Sequence, residues 1–211
     1  MPEYDSKTKA SPSGDSRRDF LRGSGLAAAS AVLTTNAVEA LDEAKAAEAG
    51  PKVLKGDVPL TLKVNGNAMT CTVEPRSTLL DTLRNRLDVT GPKRVCDRAS
   101  CGACTVILDG EPVYSCTILA VACPGHDIET VESFDTGKGS VPAEFVKHDG
   151  LMCGYCTPGF VTAVKAFLDK NPNPTLDEIK RGIDGNICRC GTYIGVFQAA
   201  IDAAKALKKE A

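Results

Sequence analysis

The stretch Cys96-Asp97-Arg98-Ala99-Ser100-Cys101-Gly102-Ala103-Cys104 carries three cysteines spaced C-x4-C-x2-C, and Cys116 follows after eleven further residues. Four thiolates in this pattern suit a 2Fe-2S cluster. Three of them reach one cluster only if the chain wraps around it, so we expect Gly102 and Ala103 to let backbone amides approach the sulfurs. A structural zinc site is the alternative, although a C-x4-C loop tight against C-x2-C is less typical of zinc.

A second set of four cysteines lies nearer the C-terminus, with Cys153 and Cys156 spaced C-x2-C and Cys188 and Cys190 spaced C-x-C. The residues between the two pairs have the pattern of a helix, a turn and a second helix, which would bring the pairs together. Each pair precedes a predicted helix, whose N-terminus favours thiolates and an anionic cluster. Taken alone, this set could also bind zinc, which is the less favoured alternative.

Composition limits the classes of function. Lys and Arg number 25 against 27 Asp and Glu, so no strong field of either sign would attract nucleic acid or an anionic membrane. Ten cysteines are many for 211 residues and indicate either disulfides or metal sites. Their spacing favours metal sites.

Residues 57–133 have the short periodicity of strands and predict a small mixed sheet with one main helix. Apolar and polar residues alternate over 60–64, and Asn65-Gly66 then predicts a hairpin turn. Asp109-Gly110 predicts a second hairpin, and residues 78–87 have the spacing of the helix.

Residues 134–211 begin with a polar connector and then have helical periodicity. Pro158 suits the first turn of a helix, and Thr175 with Glu178 forms a capping box for the next one. Residues 194–207 predict a last amphipathic helix. The fold class is therefore α+β, with a compact all-α second domain.

Residues 1–56 are predicted to be a signal and linker outside the fold. Ser16-Arg17-Arg18-Asp19-Phe20-Leu21-Arg22 precedes a run of small and apolar residues, 23–33, and resembles a twin-arginine export signal. This run is too short for a membrane-spanning helix, which needs about 20 apolar residues, and Val38-Glu39-Ala40 suits a cleavage site. We therefore expect export to the periplasm without a stable membrane span; the alternative is a basic tail with an Ala-rich helix.

Both cysteine sets together resemble the small iron-sulfur subunit or domain of the xanthine dehydrogenase and aldehyde oxidoreductase group of molybdenum hydroxylases. The match runs from about Leu60 to Ala203. The stretches that carry it are Cys101-Gly102-Ala103-Cys104-Thr105-Val106, Cys153-Gly154-Tyr155-Cys156-Thr157-Pro158-Gly159 and Gly185-Asn186-Ile187-Cys188-Arg189-Cys190-Gly191.

The resemblance implies a plant-type ferredoxin-like (β-grasp) domain followed by a four-helix-bundle domain, each holding one 2Fe-2S cluster. It implies a large partner subunit that carries molybdopterin and, commonly, an FAD-binding subunit or another acceptor such as a cytochrome. Electrons would leave the molybdenum site singly, first through the C-terminal cysteine set and then outward through the N-terminal set. No catalytic acid, base or nucleophile is expected on this chain.

Two positions depart from the pattern of many relatives. Met152 stands where a glutamine can contact the pterin, and a thioether accepts hydrogen bonds only weakly, whereas Cys190 keeps its implied pterin contact. Cys190-Gly191-Thr192-Tyr193 reverses the usual Thr-Gly order. With the export signal, this form is more similar to bacterial aldehyde or N-heterocycle oxidoreductase subunits than to xanthine dehydrogenase.

Cys71 and Cys123 belong to neither set and are expected to be small buried apolar residues. Three functional hypotheses follow. The first is an electron-transfer subunit of an oxidoreductase complex, the second a free-standing periplasmic 2Fe-2S carrier, and the third a structural protein stabilised by zinc or disulfides. An exposed apolar patch near Met152 and Cys190 would argue against the free carrier, because such patches mark interfaces.

Overall fold

The structure, a computed structural model, describes residues 53–210. The twin-arginine motif, the cleavage region and most of the linker lie outside these residues. The residues from Leu54 onward form one unit. Within the described residues, no helix combines the length and the apolar character needed to cross a bilayer.

The first half is a five-stranded mixed sheet with a single α-helix, as the sequence predicts. Its elements are β1 (Val58–Val64), β2 (Asn67–Val73), α1 (Leu79–Arg86), β3 (Thr105–Leu108), β4 (Glu111–Tyr114) and β5 (Asp127–Glu129). The strand order is β2-β1-β5-β3-β4, in which only the β1–β5 pair is parallel. The sheet therefore brings a late strand, β5, between the two hairpins.

Both predicted hairpins are confirmed, and their turns explain the sequence signals. Asn65 and Gly66 have φ values of 51° and 78°, and Asp109 and Gly110 have φ values of 50° and 83°. Two successive positive φ angles are what a type I′ turn requires, and Asn-Gly and Asp-Gly adopt them most readily. The first turn fixes the register of β1 with β2, and the second fixes that of β3 with β4, the hairpin that lies between Cys104 and Cys116.

The second half consists of four helices, which confirms the predicted all-α domain. They are α2 (Val141–Lys147), α3 (Thr157–Lys170), α4 (Leu176–Gly182) and α5 (Tyr193–Glu210). The capping box of α4 is present, with Thr175 and Glu178 exchanging hydrogen bonds. Ile107 of β3 is buried in the same apolar cluster as the helices, so sheet and helices share a core.

Candidate metal centres

The first cysteine set is assembled by an irregular loop and by the second hairpin. Cys104 lies directly before β3 and Cys116 shortly after β4, so pairing of these strands brings the two residues together. Ser115 reinforces this, because its amide and its hydroxyl both donate to the Cys104 carbonyl, at 3.3 and 2.7 Å. The loop from Cys96 to Cys104 supplies the other thiols.

The thiols of the first set form two pairs: Cys96 lies within hydrogen-bonding reach of Cys101, and Cys104 within reach of Cys116. Among the residues that the structure describes, no three cysteine sulfurs lie within 4.8 Å of one another. A tetrahedral zinc ion with Zn–S bonds of about 2.3 Å would draw four sulfurs closer than that. Two separated pairs instead fit two irons, each of which takes two thiolates.

Backbone amides of the loop from Cys96 to Cys104 approach these sulfurs. Ala99 N–H donates to Cys116 Sγ and Ser100 N–H to Cys96 Sγ, each at 3.3 Å. That Gly102 and Ala103 let amides approach the sulfurs stays a prediction, and the structure shows a further reason for glycine at position 102. With φ of +69°, Gly102 packs against Asn186 so closely that a Cβ would lie 2.6 Å from the Asn186 side chain.

The second cysteine set has the same arrangement of two pairs. Cys153 lies within hydrogen-bonding reach of Cys190, and Cys156 within reach of Cys188. Cys156 is the N-cap of α3, which has no side-chain cap, so the free amides of its first turn favour an anion. This half of the chain therefore also fits an anionic cluster held by four thiolates.

Burial and hydrogen bonds divide the thiols by acidity. Burial raises the pKa of Cys104 and of Cys156 to about 12, so a metal must displace their protons in order to bind. Burial alone would also raise the pKa of Cys188, but hydrogen bonds from the Thr192 side chain and backbone outweigh it and lower the pKa to about 7. The Thr192 hydroxyl lies 3.3 Å from Cys188 Sγ.

Only the second set contains exposed cysteines. Cys104, Cys116 and Cys188 are buried, whereas Cys153 and Cys190 are exposed. Large apolar side chains stand exposed in the segments around that exposed pair. They are Leu151, Met152, Tyr155, Ile187 and Ile194, which we call the apolar ring.

A buried junction joins the two sites. Asn186 Nδ2 donates to the Gly102 carbonyl at 2.9 Å, and the Ile187 amide donates to the Cys101 carbonyl at 3.0 Å. The Tyr114 hydroxyl donates to the Gly185 carbonyl at 3.2 Å. One hydrogen bond thus links the backbone of a residue in the first set to the residue that precedes Cys188 in the second.

Sequence reasoning assigned no role to Asn186, Thr192 or Tyr193. The Tyr193 hydroxyl accepts a hydrogen bond from the Cys188 amide at 2.9 Å. Their position beside Cys188 was the available signal. Of the two remaining cysteines, Cys123 is buried, as expected, whereas Cys71 on β2 is only partly buried. Both are free thiols.

Glu144, His148 and Asp202 form a cluster that ties α2 to α5. His148 Nε2 lies 2.9 Å from Asp202 Oδ2 and 3.4 Å from Glu144 Oε2. Lys147 Nζ lies 2.6 Å from Glu144, and a hydrogen bond from Lys205 lowers the pKa of Asp202 to about 2. Because two ammonium groups already contact these carboxylates, we interpret the cluster as a structural contact between α2 and α5.

Comparison with known proteins agrees with this geometry. Residues 62–125 match the family described as 2Fe-2S iron-sulfur cluster binding domain, and residues 130–201 match the family described as 2Fe-2S binding domain. The chain is 39% identical to the aldehyde oxidoreductase iron-sulfur-binding subunit PaoA of Escherichia coli K12, over 91% of this chain and 89% of that one.

Two further similarities cover most of the described residues. The nicotine 6-hydroxylase small subunit of Paenarthrobacter nicotinovorans is 42% identical over 69% of this chain and 89% of its own. A chain of quinoline 2-oxidoreductase from Pseudomonas putida 86 superposes with a TM-score of 0.69 at 36% identity, covering 72% of this chain and 97% of that one. Both cysteine sets lie within the matched families.

Proposed function

Because the chain belongs to the 2Fe-2S iron-sulfur subunits of the xanthine dehydrogenase and aldehyde oxidoreductase family, we propose that it carries electrons away from a molybdopterin site on a larger partner subunit. The relatives named above are subunits of oxidoreductases. An aldehyde or an N-heterocycle is the proposed substrate class, and it reacts on the partner. An FAD-binding subunit or a cytochrome is the proposed acceptor.

The observation that carries this proposal is the apolar ring around the exposed thiols Cys153 and Cys190. Met152 is 75% exposed and Ile194 is 86% exposed. The two segments that carry these side chains meet where Cys153 and Cys190 pair, and exposed apolar surface of this kind marks an interface. A free-standing carrier would present these side chains to water, whereas a subunit covers them with its partner.

A 2Fe-2S cluster supplies one-electron chemistry, and the residues of this chain set where electrons enter and leave. The exposed thiols of Cys153 and Cys190 form the face toward the partner, and Cys190 is the proposed pterin contact. Met152 offers only a weakly accepting sulfur there, so we assign it to apolar packing. The junction at Ile187 and Cys101 holds the second site against the first, from which electrons leave.

The experiment is purification of the native complex, followed by metal analysis and electron paramagnetic resonance of the reduced form. We expect about four irons per chain in two distinct signals, with molybdenum in the same complex. Iron without a molybdenum-containing chain would support the free carrier instead. Zinc in place of iron would contradict both.

A charge placed in the apolar ring tests the interface directly. We expect Met152→Glu combined with Ile194→Glu to abolish co-purification of the large subunit, because a buried unpaired carboxylate is costly, while both iron signals remain. Leu176→Glu is the matched control. Leu176 is 43% exposed and lies in the first turn of α4, where a carboxylate is tolerated. If the double variant co-purifies as well as this control, the apolar ring is not the interface.

We also propose that the protein acts in the periplasm after export through the twin-arginine pathway. The support is the Arg17-Arg18 pair ahead of an apolar run. Cell fractionation tests it: the full chain should appear in the periplasm, and Arg17→Lys with Arg18→Lys should retain it in the cytoplasm. Periplasmic protein from the double-lysine variant would contradict the assignment.

A further inference from the structure

Thr157, the first residue of α3, has a hydroxyl group that is buried without a hydrogen-bond partner. Its Oγ1 is the only side-chain nitrogen or oxygen in this condition among residues 53–209, whose side chains the structure describes. A buried hydroxyl with no partner loses its hydrogen bonds to water without replacing them, which is unfavourable. Something that accepts a hydrogen bond is therefore expected next to it.

The surrounding chain does not provide that acceptor. A threonine in a helix commonly donates to the carbonyl four residues earlier, as Thr162 does to Pro158 at 2.8 Å and Thr82 does to Thr78 at 2.9 Å. The corresponding carbonyl for Thr157 belongs to Cys153, and it accepts no such bond. The start of α3 also lacks a side-chain cap.

Helix α3 is held in place, so Thr157 cannot move toward another acceptor. Gly159, two residues later, packs so tightly on the first-set loop that a Cβ there would lie 2.3 Å from the Gly102 carbonyl oxygen. Thr157 is thus fixed at the uncapped start of α3, directly after Cys156 of the second thiol set. The protein supplies no hydrogen-bond acceptor for the Thr157 hydroxyl. A cluster bound by the second thiol set would supply one, because its sulfur atoms accept hydrogen bonds.

We propose that the Thr157 hydroxyl donates a hydrogen bond to a sulfur of the cluster held by the second cysteine set, and thereby makes that cluster easier to reduce. This rests on the proposed function, because it requires a 2Fe-2S cluster at this site. Reduction adds one negative charge to the cluster, and a donor to sulfur stabilises the more negative form. Thr192, beside Cys188, approaches a thiol of the same set from another segment.

Thr157→Val removes the hydroxyl and keeps the branched shape. We expect the one-electron reduction equilibrium constant of the second-set cluster to fall about tenfold, since one hydrogen bond to a charged group contributes about 1.5 kcal/mol. Tenfold corresponds to about 59 mV for one electron. The potential of the first-set cluster should stay unchanged, and Thr157→Ser should retain the wild-type value.

The measurement is a redox titration of the cluster-loaded full chain, followed by electron paramagnetic resonance. Thr162→Val is the matched control, because it removes a buried hydroxyl from the same helix that already donates to Pro158. An unchanged second-set potential in Thr157→Val overturns the proposal, as does an equal shift of both clusters or an equal shift in Thr162→Val. Absence of 2Fe-2S signals from wild-type protein would instead overturn the proposed function.

A second measurement covers the case in which Thr157→Val does not assemble its cluster. Pulsed electron paramagnetic resonance of reduced wild-type protein in D2O should show an exchangeable deuteron coupled to the second-set spin. Thr157→Ala should lose one deuteron coupling that wild-type protein and Thr157→Ser both show, while the couplings from the Thr192 hydroxyl and from backbone amides remain. Identical deuteron couplings in wild-type protein and Thr157→Ala would overturn the proposal.

Discussion

Cys156→Ser is expected to remove one cluster and to leave the other, so that iron falls from about four to about two per chain. A 2Fe-2S cluster needs four ligands, and Cys156 supplies one of the second-set thiols, paired with Cys188. Cys104→Ser should give the reciprocal result, because Cys104 is paired with Cys116 in the first set. The two variants together assign each resonance signal to one site.

Cys71→Ser is the control for this pair of variants. Cys71 lies on β2, is only partly buried and belongs to neither set, so the iron content should stay at about four per chain. Loss of all iron from either ligand variant would show that the two sites do not load independently. Loss of iron from Cys71→Ser would mean that the ligand sets are assigned incorrectly.

Gly159→Ala is expected to destabilise the protein by roughly 3 kcal/mol, the upper part of the range for overpacking. The added methyl group would meet the Gly102 carbonyl oxygen at 2.3 Å and the Ala103 backbone at 3.0–3.2 Å. These are backbone atoms of the first-set loop, which cannot rotate away as a side chain can. In a free helix the same change would stabilise by up to about 1 kcal/mol, so any loss reports the contact between α3 and the loop.

Thermal and denaturant unfolding of the cluster-loaded chain measure this effect. Gly137→Ala is the control, because its Cβ would meet only the exposed Asp135 carboxylate, at 3.1 Å, and that side chain can move. We also expect Gly159→Ala to disturb the signals of both clusters, since the loop and the start of α3 contribute thiols to different sites. Unchanged stability of Gly159→Ala would show that the loop at Gly102 and Ala103 moves to accommodate the methyl group without a measurable cost.

Local chemistry made much of this fold predictable. The Asn65-Gly66 and Asp109-Gly110 turns, the capping box at Thr175 and the alternation along β1 each express a preference of neighbouring residues. Cysteine spacing indicated the members of each short motif, because residues close in sequence are also close in space, and the helical pattern between the two C-terminal pairs indicated that they meet. These signals need no knowledge of distant parts of the chain.

The features that were missed depend on distant parts of the chain. β5 is three residues long and joins the sheet by pairing with β1 and β3, which no local pattern specifies. The close packing of Gly102 against Asn186 was not predicted, because the two residues lie 84 positions apart. Thr157 looks like an ordinary helix-start residue until its lack of a partner is seen in three dimensions.

The junction at Asn186 has a consequence for biosynthesis. During translation Gly102 leaves the ribosome long before Asn186, which donates to the Gly102 carbonyl, has been added to the chain. Domains generally fold as units during translation, and in the nascent first half only the Thr105 amide and hydroxyl donate to the Gly102 carbonyl. A chain truncated before Asn186 would thus lose the second pair of C-terminal thiols and also one of the three hydrogen bonds that hold the first loop at Gly102.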